Sequence, residues 1–270
     1  MKNRKKEAKI LHALSVMATT FTVASFVSLC VFVLVKGVPH ITADMFSLKY
    51  TSENASVVPA AINTLTISVC ALALALLPGI FSAVYLCEYA GRKNKFVSVI
   101  RTMTETLAGI PSIVYGLFGY LAFVLSAGWG YSIIAGALTL SLMILPVIMR
   151  TAEEAINSVP DSFRESSYAL GAGRLRTIAR VVIPSALPGI VSGAVLSVGR
   201  ILGETAALIY TAGTVAGLAT SLTSSGRTLS VQMYTLWREG IYTQKAFASA
   251  AVLLILTVLI NILSSFFKRR

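Results

Sequence analysis

The sequence predicts an all-α, polytopic membrane protein: a bundle of six transmembrane helices with one further helix in a cytoplasmic loop. Three observations carry that expectation. Hydrophobic residues make up 56% of the 270-residue chain and charged residues 13%, too few charges to cover a water-soluble domain. Apolar runs long enough to cross about 30 Å of hydrocarbon recur along it. The basic residues behind the net charge of +12 sit in short clusters between those runs, so they read as topology signals rather than as a nucleic-acid surface. Mean hydropathy, at +0.78, agrees. Cys30, Cys70 and Cys87 lie in or beside apolar runs and give no disulfide or zinc pattern, and His12 and His40 are too scattered for a metal site. No cofactor, metal or nucleic-acid partner is expected.

The first run, 11–35, follows MKNRKKEAK. It is about twice the length of a secretory apolar region and lacks an A-x-A-like site at its end, so a retained helix is expected rather than a cleaved signal. The remaining spans are expected at 63–86, 107–126, 130–149, 186–213 and 246–267. Residues 1–62 form an N-terminal helix with an external loop, and 63–270 the core of the protein. Seventeen Lys and Arg fall on the side of the termini and five on the other, which places both termini in the cytoplasm.

The external loop 36–62 carries the breakers Gly37, Pro39, Ser52, Asn54 and Pro59. A second external stretch, 214–245, opens GTVAGLATSLTSSG, which suits either a surface loop or a segment dipping back into the protein. Gly109, Gly116, Gly119, Gly189 and Gly193 are read as close-packing positions. Pro111 is tolerable in the third span only if neighbouring helices satisfy freed backbone groups. Glu88 and Glu105, at the cytoplasmic span ends, are read as solvated or interfacial. Six helices enclose a path only narrowly, so a partner subunit is expected.

The longest cytoplasmic segment, 150–184, predicts an amphipathic helix over 159–170. Ser158 and Asp161 have capping-box spacing, Pro160 suits a first turn, and Gly171 and Gly173 suit a stop. Val159, Phe163 and Leu170 are expected to share its apolar face.

Within this segment, Glu165, Ser166, Ser167, Gly171, Val181, Ile183 and Pro184 keep the spacing EAA, three residues, Gly, nine residues, I-x-L-P. That pattern resembles the cytoplasmic signature of permease subunits of bacterial ABC importers. Both alanines are serine here, which preserves small volume. The resemblance implies a helix that couples the membrane domain to an ATPase subunit. The chain has no G-x-x-x-x-G-K-[ST], and GAGRLR at 171–176 lacks the third glycine of a dinucleotide loop, so ATP hydrolysis is expected elsewhere.

The stretch GRILGETAAL, 199–208, holds Arg200 and Glu204, the two charges found between Arg180 and Arg227. A charge near a span's centre costs about 2.5–3.5 kcal/mol. An i,i+4 pair returns only about 0.2–0.5 kcal/mol, so helix support does not account for the two residues. Either they neutralise each other and fix helix orientation, or Arg200 offers its donor fork to an oxyanion while Glu204 holds it and balances its charge. The second reading is favoured here.

GRILGETA, together with LAGIPSIVYGLFG at 107–119, is similar to the fifth-helix and third-helix regions of phosphate importers of the ABC class, over about 60–267. The resemblance implies a phosphate permease of the bacterial cytoplasmic (inner) membrane, embedded in lipid. Its implied partners are a homologous permease subunit, two cytoplasmic ATPase subunits and an external phosphate-binding protein. A permease for sulfate, molybdate or phosphonate is the near alternative. An ion-coupled secondary transporter and a non-transporting scaffold are more remote ones.

Overall fold

A computed structural model describes residues 2–90, 95–240 and 242–268, with side chains between 9 and 262. Arg92, Lys93, Arg269 and Arg270, counted above as topology signals, lie outside the described residues. Among the described residues there are helices and loops and no strand.

α1 (Lys2–Gly37) leads through short 3-10 turns to α2 (Val58–Val84), whose Pro59 occupies a first-turn position that lacks an intrahelical acceptor in any case. A π-turn, Tyr85–Tyr89, ends that span. α3 (Lys95–Ala108) is followed by α4 (Ser112–Gly119), prolonged by a π-turn over Tyr120–Ser126, and by α5 (Ile133–Asn157). α6 (Asp161–Ala169) and α7 (Arg174–Thr177) form the connection to α8 (Ile183–Leu202), entered through a π-turn at Ile178–Val182. α9 (Ala206–Thr211), α10 (Leu229–Glu239) and α11 (Thr243–Lys268) complete the chain.

α5 is the central helix. Its Leu140, Met143, Ile144 and Ile148 are almost fully buried, and Ile67, Ala71 and Ala75 of α2 pack beside them. Small side chains let the helices approach where no water drives them together. Gly189 and Gly193 of α8 meet Ala155 and Thr151 of α5, while Gly116 of α4 lies so near α9 that an added methyl would sit 2.8 Å from the Ala207 Cα. Gly119 fits against Thr139 and Thr211. These positions bear out the close-packing expectation. Gly109 does not, since it has only backbone carbonyls of its own chain nearby, at 3.5 Å and beyond. α1 lies at the edge, touching α11 where Gly37 meets Phe247 and Ala251 and where Phe32 packs edge-on against Phe247.

Among the described residues five helices are long and apolar enough to cross a membrane, or six if the bent pair α3 and α4 counts as one span. Two expected spans are corrected. The third, 107–126, is not one helix running from 107: the chain turns by 98° between α3 and the Ser112–Ser126 helix. Pro111 has no N–H and disfavours helical geometry at Ile110, and here it serves as the cap residue of α4 with ψ 139°. The Tyr115 hydroxyl donates across the bend to the Leu107 carbonyl at 2.9 Å. The fifth, 186–213, is interrupted after Leu202 and resumes at Ala206.

The stretch 214–226 folds over the N-terminal ends of α2 and α5. Buried Asn63 pins it by donating to the Gly217 and Arg227 carbonyls and accepting from the Ala219 N–H. The Ile133 and Ile134 N–H groups donate to the Ser224 and Leu222 carbonyls.

Candidate functional site

Arg200 lies in the last turn of α8, half-buried, and Glu204 in the following break. In a continuous helix they would be i,i+4 neighbours; the break parts them, and among the described residues no ion pair joins them. The expectation that Glu204 holds Arg200 is therefore corrected. Glu204 Oε1 instead accepts the Ala207 N–H at 3.2 Å, offering the backbone an alternative to continuing the helix, with Gly203 lowering the cost of the interruption. The Glu204 carbonyl accepts from the Ser230 hydroxyl at 2.6 Å, which ties the break to α10. Among the described residues the Arg200 guanidinium has no hydrogen-bond partner. The arrangement leaves a donor fork unspent beside a helix break in the apolar bundle.

The signature residues of 150–184 are spread rather than gathered. Glu165 and Ser166 are exposed on α6, and Ser167 shares a 2.8 Å hydrogen bond with Thr177. Gly171, at φ +78°, supplies the left-handed turn that ends the helix, as expected from its type. Val181 and Ile183 are half-buried and Pro184 is exposed, while the intervening Val182 and the nearby Ile178 take the core positions. The expected helix 159–170 is found as 161–169, with two corrections. Ser158 does not cap it, because its hydroxyl donates to the Ala155 carbonyl at the end of α5. Val159 does not share a face with Phe163 and Leu170: it is 5% exposed in the core beneath, whereas Phe163 and Leu170 are 49% and 89% exposed. Pro160 separates them as the cap residue of a helix that starts at Asp161, two residues after Val159.

Beneath α6 is an ion pair that sequence reasoning missed. Glu88, expected to be solvated or interfacial, is buried; its Oε1 accepts from Arg164 Nε at 3.0 Å and Nη2 at 2.9 Å. The same guanidinium donates to the Val159 carbonyl at 2.7 Å and the Ile156 carbonyl at 3.0 Å, capping the end of α5. Arg174 stacks over the Tyr89 ring 4.6 Å away. A cleft of about 760 Å³ opens beside these groups, reaching Arg101 and Asn157. On the opposite side Arg227, read from sequence as a loop charge, is also buried. Its guanidinium lies 4.4 Å from the centre of the Tyr50 ring and hydrogen-bonds Gln232. Only Arg164's position just before Glu165 could have drawn notice in the sequence; Arg227 and Glu88 had no signal.

Solved structures share this architecture. A bacterial alginate ABC transporter, in complex with an alginate pentasaccharide-bound periplasmic protein, superposes at TM-score 0.71 and 18% identity, over 98% of this chain and 96% of that one. The MetNI methionine ABC transporter in an inward-facing conformation gives 0.63 at 20% identity, over 85% and 98%. The fold is that of an ABC importer permease, a polytopic membrane subunit. The chain belongs to the family of binding-protein-dependent transport system inner membrane components, matched over residues 75–270. In this family the chain is the transport subunit, and ATP hydrolysis resides in separate subunits.

Named relatives lie within it. The probable ABC transporter permease protein YqgI of Bacillus subtilis (strain 168) is 38% identical over 213 residues, 78% of this chain and 72% of that protein. The phosphate transport system permease protein PstA of Pasteurella multocida (strain Pm70) is 32% identical over 271 residues, 98% and 95%. PstA of Mycobacterium leprae (strain TN) is 42% identical over 151 residues, covering 56% of this chain and 49% of the other.

Proposed function

We propose that the chain is a PstA-like permease subunit of an ATP-driven importer of inorganic phosphate, seated in the bacterial cytoplasmic membrane with both termini and α6 on the cytoplasmic side. The observation that carries this reading is Arg200: a half-buried guanidinium beside a helix break, with no hydrogen-bond partner among the described residues. An unpaired cation in an apolar span is costly, and a passing oxyanion relieves that cost through charge-assisted, bidentate hydrogen bonds. Glu204 lies next along the path, where its carboxylate offsets the charge without occupying the fork and disfavours tight trapping of the anion. The relatives named as phosphate transport permeases support phosphate among the oxyanions.

The partners proposed are a homologous permease, two cytoplasmic ATPase subunits and an external phosphate-binding protein. In this reading α6 is the coupling helix, docking through exposed Phe163, Glu165, Tyr168 and Leu170, while Gly171 and the Val181–Pro184 stretch direct the chain back into α8. Vesicles containing the complete complex are expected to accumulate labelled phosphate with ATP and to leave labelled sulfate outside. Preferential sulfate uptake would overturn the substrate assignment.

A further inference from the structure

We infer that the Glu88–Arg164 pair, whose carboxylate is buried, is the joint through which movement of α6 reaches the second span. The inference rests on the reading of α6 as the coupling helix. No residue of α6 is buried, so apolar packing does little to fasten that helix to the bundle. Arg164 does so instead: one guanidinium grips the Glu88 carboxylate at the end of α2 and the Ile156 and Val159 carbonyls at the end of α5. The planar fork fixes direction as well as distance, which a flexible ammonium would not. Tyr89, one residue beyond Glu88, is held in turn by Arg174 of α7. Both contacts fall on the π-turn Tyr85–Tyr89, a departure from regular α-helix of the kind that occurs often at functional sites.

The simpler view is a staple that holds the fold. Buried ion pairs are weak evidence for stability, because apolar residues of similar volume often serve as well. Directional transmission needs the fork. From α2 the displacement passes to the core, since Ile67, Ala71 and Ala75 pack against the central face of α5. Glu88 and Arg164 are thus positioning residues, distinct from any group that touches the transported solute.

The test uses the complete complex in liposomes, with the chain carrying Cys70 of α2 as its single thiol (Cys30→Ser, Cys87→Ser). The readouts are ATP hydrolysis, retention of the ATPase subunits, and the rate of maleimide labelling at Cys70 with and without ATP. In this parent ATP is expected to change the labelling rate about threefold or more. In Glu88→Gln the ATPase subunits should stay bound and hydrolyse ATP while the labelling change is lost; Glu88→Asp should restore part of it. A full ATP-dependent change in Glu88→Gln, or none in the parent, overturns the inference. If Glu88→Gln does not reach the membrane, Arg164→Lys decides in the same way, a full response again being the contrary result. The underlying reading is tested separately by Leu170→Asp: if the ATPase subunits remain bound to that variant, α6 is not the docking element, whatever Glu88 does.

Discussion

Arg200 and Glu204 divide their work at the Gly203 break. Glu204 caps the short helix after it, with its Oε1 3.2 Å from the Ala207 N–H. Glutamine keeps a carbonyl acceptor at that place, and alanine does not. Glu204→Ala is therefore expected to destabilise the protein by about 0.5–2 kcal/mol, the range for loss of a helix cap, while Glu204→Gln changes it little. Melting of the purified complex in detergent measures both, and equal losses would show that the charge rather than the acceptor holds the turn. Arg227 shows a different setting for a buried cation: the Tyr50 ring faces its guanidinium and Nε donates to Gln232, while Nη2 has no hydrogen-bond partner among the described residues. Among the described residues Arg200 has neither contact.

At the scale of elements, glycine sets how closely the helices pack. A side chain at Gly116 would meet the Ala207 Cα, a backbone atom that cannot swing aside. Gly116→Val should cost about 1–3 kcal/mol as overpacking, seen as a lower melting temperature, whereas Gly173→Ala, with nothing within 4 Å, should be silent. The helices of the bundle were legible in the sequence because apolar length alone marks them: 130–149 was expected and α5 runs Ile133–Asn157. The breaks were less legible. Hydropathy is blind to backbone direction, so LAGIPSIV and RILGETAA read as continuous apolar runs although Pro111 and Gly203 stand within them. The signature from Glu165 to Pro184 was legible from spacing, and α6 does expose Glu165 and Ser166. The Glu88–Arg164 contact was not, because partners 76 residues apart meet only through the packing of α2 on α5.

The whole molecule is an incomplete enclosure. None of the most apolar window of α1 is buried, and α4 exposes Ile113, Val114, Leu117 and Phe118, so these faces need lipid or a neighbouring subunit to cover them. Transport is then a property of the assembly, with Arg200 of α8 as this chain's proposed contribution to the path. The central claim is tested most directly by ATP-dependent phosphate uptake in vesicles holding the complete complex, comparing wild type with Arg200→Gln. Hydrogen bonds to a charged group are worth about 1.5–3 kcal/mol, so uptake should fall about tenfold to a hundredfold while the complex still assembles. Undiminished uptake by an intact Arg200→Gln complex would contradict the account and leave the arginine a structural feature of the helix end.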